Sequence, residues 1–143
     1  MRTVEQLLHV KGGDVWSIAP QETAYRALQI MAEKNVGALL VMENEKVVGI
    51  FSERDYARKV ILKDKSSRNT SVSELMTREV VYIDTDATLE ESMALMTAKR
   101  IRHLPVLQNN RLVGIVTLGD VVKQLISDQK FAIRELEKYI TGG

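Results

Sequence analysis

A block of this chain is written twice. Gly49-Ile50-Phe51-Ser52-Glu53-Arg54-Asp55 returns as Gly114-Ile115-Val116-Thr117-Leu118-Gly119-Asp120, 65 positions on (114 − 49). The offset holds without a gap back to Ile18 and Ile83, pairing Thr23 with Thr88, Met31 with Met96, Leu39 with Leu104 and Val48 with Val113. A repeat fixes architecture before any local reading does. One small unit is used twice, and each copy presents a hydroxyl and a carboxylate at the same place.

Each copy predicts strand, helix, strand, strand, helix. Val15 to Ile18 and Val80 to Ile83 are expected as short strands. Thr23 and Thr88 suit helix N-caps, each followed by apolar residues at helical period: Ala24, Ala27, Leu28 and Met31, then Leu89, Met93 and Met96. Two strands follow in each copy, 38–42 with 46–51 and 103–107 with 111–116. Their joints, Glu43-Asn44-Glu45 and Gln108-Asn109-Asn110, suit tight turns. A helix leaves each motif, from Glu53 to about Leu62 and from Leu118 to about Ile140.

The polar run 63–70 reads as a linker. The expected division is therefore a first repeat over 1–62, a second over 71–126 and a helical extension over 127–143. A weaker echo precedes each copy, Thr3-Val4-Glu5-Gln6-Leu7-Leu8 against Ser71-Val72-Ser73-Glu74-Leu75-Met76. Its offset is 68 (72 − 4), so copy one carries three extra residues around Gly12-Gly13. Half of such a repeat rarely buries its own apolar face, so the copies are expected to pack sheet to sheet about a pseudo-twofold axis, an α/β (α+β) body.

With 143 residues and 45 % hydrophobic content the chain can build a core. Twenty basic against 19 acidic residues give a net charge of +1, which offers no broad field for nucleic acid or anionic membrane. Without cysteine there is no disulfide or thiolate chemistry. His9 and His103 are far apart in sequence, and no metal-ligand cluster or Walker-type phosphate loop is present. The amino-terminal stretch has no signal-peptide pattern or bilayer-length apolar run, so a cytoplasmic protein is expected.

The doubled Gly-x-x-Ser/Thr-x-x-Asp string, each time after the same strand–helix–strand order, resembles the tandem cystathionine β-synthase (CBS) domain pair, or Bateman module. Ile101-Arg102-His103-Leu104-Pro105-Val106 adds to the resemblance, which spans roughly Thr3 to Leu125. It implies a free-standing, non-catalytic regulatory module binding an adenine nucleotide (AMP, ADP, ATP or NAD) in clefts between the copies. It also implies a homodimer formed through the helices that follow the motifs. An S-adenosylmethionine sensor and a structural or partner-binding module are the alternatives. An enzyme or a nucleic-acid binder fits less well.

Under that resemblance Asp55 and Asp120, at helix starts, would accept ribose hydroxyls. Ser52 and Thr117 would sit beside a phosphate, although either is equally a plain N-cap. Arg102 and His103 would face the phosphate at the second site, with Ile115 and Gly119 of the same motif. Gly37 and Ala38 stand in their place in copy one and leave room. Arg54 would serve the first site or pair on the surface, and Lys11 could reach a phosphate from the extra loop. Arg58 and Lys59 read as a solvated face or a dimer contact. The base held at Asp120 would touch Val15, Trp16 and Val36, and that at Asp55 would touch Val80, Val81 and Ile101. Trp16 could stack on a purine, but as an aromatic it reads first as core.

Overall fold

The computed structural model describes residues 2–141. It contains two three-stranded sheets, β1-β2-β3 and β4-β5-β6. In order the elements are α1 (Val4–Lys11), β1 (Ser17–Ile18), α2 (Ala24–Lys34), β2 (Ala38–Glu43), β3 (Lys46–Ser52), α3 (Glu53–Tyr56), α4 (Val72–Leu75), β4 (Ile83–Asp84), α5 (Leu89–Lys99), β5 (His103–Gln108), β6 (Arg111–Thr117) and α6 (Leu118–Thr141).

The repeat is reproduced down to its irregularities. In each copy a crossover helix joins two parallel strands, and a hairpin adds the third strand antiparallel. The hairpin register slips between Val41 and Met42, and again between Val106 and Leu107. Asn44 and Glu45 have φ of 52° and 65°, and Asn109 and Asn110 have 52° and 63°. Two successive left-handed residues make the turn whose twist matches a two-residue hairpin, and asparagine tolerates that region best. Thr23 and Thr88 cap α2 and α5 through the amides of Arg26 and Glu91.

The first strand of each copy is shorter than expected. Only Ser17–Ile18 and Ile83–Asp84 pair, although the Trp16 carbonyl still accepts from the Leu40 amide. The helix after the first motif also differs. It is one α-turn, α3, followed by a π-helical stretch, Ala57–Ile61. The Leu62 and Lys65 amides reach five residues back, to Ala57 and Val60.

The compact units do not follow the repeat boundaries. One unit is Val15–Val80; the other joins the residues up to Asp14 with those from Val81 onward. The short helix preceding each repeat is therefore exchanged. Val72, Leu75 and Met76 lie in the core built around Ile18, Met31, Leu39, Val41 and Phe51. Val4, Leu7 and Leu8 lie in the core built around Leu89, Met96, Leu104, Val106 and Val116.

The exchange has a hydrogen-bonding reason. Isolated helices this short do not persist in water, and their first amides need acceptors. Val4 and Glu5 donate to the carbonyls of Ala87 and Thr85, while Leu89 donates back to Arg2. Val72 and Ser73 donate to Glu22 and Pro20, while Ala24 donates back to Thr70. Burying each apolar side chain of α1 adds about 1.5–3 kcal/mol.

The run 63–70, which joins the two repeats, is itself held in place. It packs on the start of α2: Tyr25 donates its amide to Ser67, Tyr56 and Ser67 share a 3.2 Å hydroxyl bond, and Arg68 stacks 3.9 Å from the Tyr25 ring. Trp16 is likewise not core. It is 37 % exposed, with the Lys34 ammonium 4.4 Å from its ring centre. At the other end, Phe131, Ile133, Leu136 and Ile140 are exposed.

Candidate functional site

Both motifs build the same local device. The last residue of β3 or β6 is the hydroxyl residue, and the helix begins at once. Ser52 Oγ accepts from the Asp55 amide at 3.2 Å, and Asp55 Oδ2 accepts from the Ser52 amide at 3.0 Å. Thr117 and Asp120 repeat this exchange at 3.1 Å both ways. Each motif is thus a reciprocal helix cap, and that structural role alone accounts for a hydroxyl and an acid three residues apart. The preceding turn is tied in as well. The Gly37 carbonyl accepts from Glu53, and the Arg102 carbonyl from Leu118, each at 3.0 Å.

What surrounds the two carboxylates differs. Asp55 is buried and has donors on both oxygens. Besides the Ser52 amide and hydroxyl, the Thr77 hydroxyl and the Lys59 ammonium each lie 3.2 Å from Oδ1. Lys59 also donates to the Leu75 carbonyl at 2.9 Å while its side chain stays 42 % exposed, so its ammonium is tied to the first motif. Its position four residues after Asp55 was the available signal. No local pattern pointed to Thr77, which comes with the exchanged helix α4. Arg54 is exposed on the same turn, and Val36 and Gly37 edge a shallow depression with Glu53. That depression has no basic side chain in its lining.

Asp120 is half-buried and keeps one oxygen open. Oδ2 takes the Thr117 amide and the Lys11 ammonium at 2.6 Å, whereas Oδ1 has no protein donor among the described residues. Lys11 sits in the last turn of α1, where Gly12, at φ 98°, turns the chain away. Its ammonium also donates to the Ile115 carbonyl at 2.6 Å. Burial pushes the Asp120 carboxyl up, but Lys11 and Thr117 outweigh it and hold the group below the ordinary carboxylate range.

His103 opens β5 directly opposite Thr117 in the ladder, with Arg102 exposed beside it. Burial, then the Lys11 charge, lowers the imidazole; Asp120 pulls the other way and Arg102 adds to the lowering. That works against the cationic His103 a phosphate partner would suggest. A base held low in the folded state costs stability where it must take a proton. Stability should therefore fall as pH drops from about 6.5 through the folded value. His103→Gln should flatten that segment of a melting-temperature profile; an unchanged slope would show that His103 does not set it.

The structure therefore gathers Lys11, Arg102, His103, Thr117 and Asp120 at the second motif, with Gly119 exposed on the helix start and Ile115 half-buried. At the first motif it gathers Ser52 and Asp55 with Lys59 and Thr77. Val15, Trp16, Val36 and Val80 belong to the same unit as the first motif, and Val81 and Ile101 to that of the second. All but Trp16 are half-buried. Among the described residues no group of three or more His, Asp or Glu side chains could hold a metal, and no helix is long and apolar enough to cross a membrane.

Comparison with known proteins gives a consistent picture. The family model for the CBS domain matches twice, over residues 9–62 and 72–127. The mitochondrial CBS domain-containing protein CBSX3 of Arabidopsis thaliana is 38 % identical over 127 residues, 85 % of this chain, which spans 62 % of that protein's length. The crystal structure of the CBS domain NE2398 superposes with a TM-score of 0.84 at 48 % identity, covering 87 % of this chain and 98 % of that one. The CBS domain pair of MJ0100, solved with 5′-methylthioadenosine and S-adenosyl-L-methionine, shares the fold with a TM-score of 0.78 at 24 % identity, over 90 % of this chain and 98 % of that one.

Proposed function

This chain belongs to the CBS-domain family as a pair of CBS domains, and from that premise we propose that it is a cytoplasmic, non-catalytic regulatory module that binds an adenine nucleotide, AMP foremost and NAD next, at its second motif. The observation that carries the reading is the open oxygen of Asp120 among Lys11, Arg102 and His103. A carboxylate held charged, with unused lone pairs, can accept from a pair of vicinal hydroxyls. Cations and a neutral imidazole donor beside it suit a phosphate. The first motif has its carboxylate saturated, and the depression beside it has no basic side chain in its lining. It is therefore the weaker candidate, and Ser52 and Asp55 act there chiefly as structure.

Titration calorimetry with AMP, adenosine, NAD, S-adenosylmethionine and a short RNA tests this reading. AMP should bind more tightly than adenosine. Arg102→Ala should cost AMP more than adenosine, by an amount that shrinks as salt rises. Equal losses for both ligands would mean that Arg102 shapes the turn rather than reading phosphate. If S-adenosylmethionine bound best and phosphate added nothing, a sensor of that compound would be the better description.

The same reading has the module dimerising through residues 53–62 and 118–125 and altering that interface when ligand binds. Light scattering is expected to give a dimer at micromolar concentration; a monomer would rule this out.

A further inference from the structure

Only the first part of α6 rests on a core. Val121 is buried and Leu125 packs on the same cluster. Arg2 clasps Asp128 at 2.7 Å, and Gln124 donates to the same carboxylate. Past Asp128 every residue to Ile140 is exposed. A water-facing helix end should be polar, yet Ile126, Phe131, Ile133, Leu136, Tyr139 and Ile140 are 47–88 % exposed.

Six positions of this helix form a seam. Val122, Ile126, Gln129, Ile133, Leu136 and Ile140 follow one another at alternating steps of four and three residues. That is the seven-residue repeat of a helix pair, with isoleucine at each first position and Val122, Gln129 and Leu136 at each fourth. Asp128, which anchors the helix, lies on the side away from the seam.

We propose that a second copy of this chain covers this seam with its own, running antiparallel. The case for this occupant is self-complementarity. With Ile126 opposite the partner's Leu136, Ile133 falls opposite the partner's Gln129, and Ile140 opposite the partner's Val122. The flanks then match by charge and by shape. Lys123 meets the partner's Glu137 and Leu125 meets the partner's Tyr139, each twice by symmetry. A parallel pair would instead set Leu125 against the partner's Lys130 and Ala132 against the partner's Glu137, with no opposite charges. Two antiparallel contacts are unfavourable, Lys130 against its own counterpart and Gln129 against isoleucine, and they lower the affinity. Phe131 projects from the far side and is not covered by this pairing. The proposal stands apart from the nucleotide reading.

The natural absence of cysteine makes the test clean. Gln129→Cys and Ile133→Cys sit on exposed positions of the full chain, so folding is not at stake. One variant carries heavy nitrogen, so that mixed disulfides are identified by mass. Under mild oxidation the mixture should join position 129 of one chain to position 133 of the other at least tenfold faster than either variant links to itself. Adding Leu136→Asp to both chains should abolish the link. Faster self-linking of Gln129→Cys would show a parallel pair and overturn the arrangement. No link in any mixture, or a link that survives Leu136→Asp, would overturn the proposal itself.

Discussion

Asp120→Ala is expected to weaken AMP binding by about 1.5–3 kcal/mol, the range for hydrogen bonds to a charged group, or tenfold to more than a hundredfold. Asp55→Ala is expected to act on the fold instead. Asp120 has one oxygen without a protein donor among the described residues, so its deletion is expected to remove the proposed ligand contacts beyond its share of the helix cap. Asp55 is buried and satisfies the Ser52 amide and hydroxyl, the Thr77 hydroxyl and the Lys59 ammonium. Its loss leaves several of these donors without an acceptor and should lower unfolding stability by about 1–3 kcal/mol. Calorimetry and urea unfolding on the same samples separate the two effects. Equal loss of AMP affinity in both variants, with equal stability, would show that the motifs do not divide these roles.

The second large effect concerns the glycine that opens the motif. A Cβ on Gly49 would stand 2.6 Å from Met76 Sδ and 2.9 Å from the Thr77 carbonyl oxygen. The methionine can swing aside, but the carbonyl cannot. Ile50 and Thr77 exchange backbone bonds of 2.9 and 2.8 Å in both directions and fix that strand contact. On Gly114 the corresponding Cβ would meet only the end of the Leu8 side chain, at 2.8 Å. Gly49→Ala should therefore destabilise by about 1–3 kcal/mol or more, and Gly114→Ala by less than about 1 kcal/mol, because leucine can change rotamer. Denaturant midpoints for the pair decide it. Equal costs would mean that the sheet accommodates both methyl groups.

The order of elements, the hairpin turns and the threonine caps were legible because each depends on neighbours a few residues away. Asn44 and Asn109 announce their turns locally, and Thr23 and Thr88 announce their helices. The repeat supplied the rest, since an irregularity in one copy recurs in the other. What could not be read depends on which segment lands on which core. Thr77 reaches Asp55, and Lys11 reaches Asp120, only because α4 and α1 are exchanged between units. The offset of 68 rather than 65 marked those segments as attached differently, but it carried no information about their destination. Trp16 misled because an aromatic within an expected strand is usually core, whereas here its carbonyl keeps a bond to the Leu40 amide while the ring is 37 % exposed beside the Lys34 ammonium.

The exchange of α1 and α4 also bears on the order in which a growing chain can fold. The unit from Val15 to Val80 is continuous and has all its parts once α4 has left the ribosome. The other unit joins residues synthesised before that stretch to residues synthesised after it. Until Ala87 and Thr85 appear, the amides of Val4 and Glu5 have no acceptor, and Val4, Leu7 and Leu8 have no core. The amino-terminal segment must wait, solvated, through the folding of its neighbour, and the Arg2–Asp128 clasp closes later still, once Asp128 has emerged. Domains that fold as units emerge amino-terminal first. Helix α1, made before the unit from Val15 to Val80, is therefore placed only after that unit has all its parts.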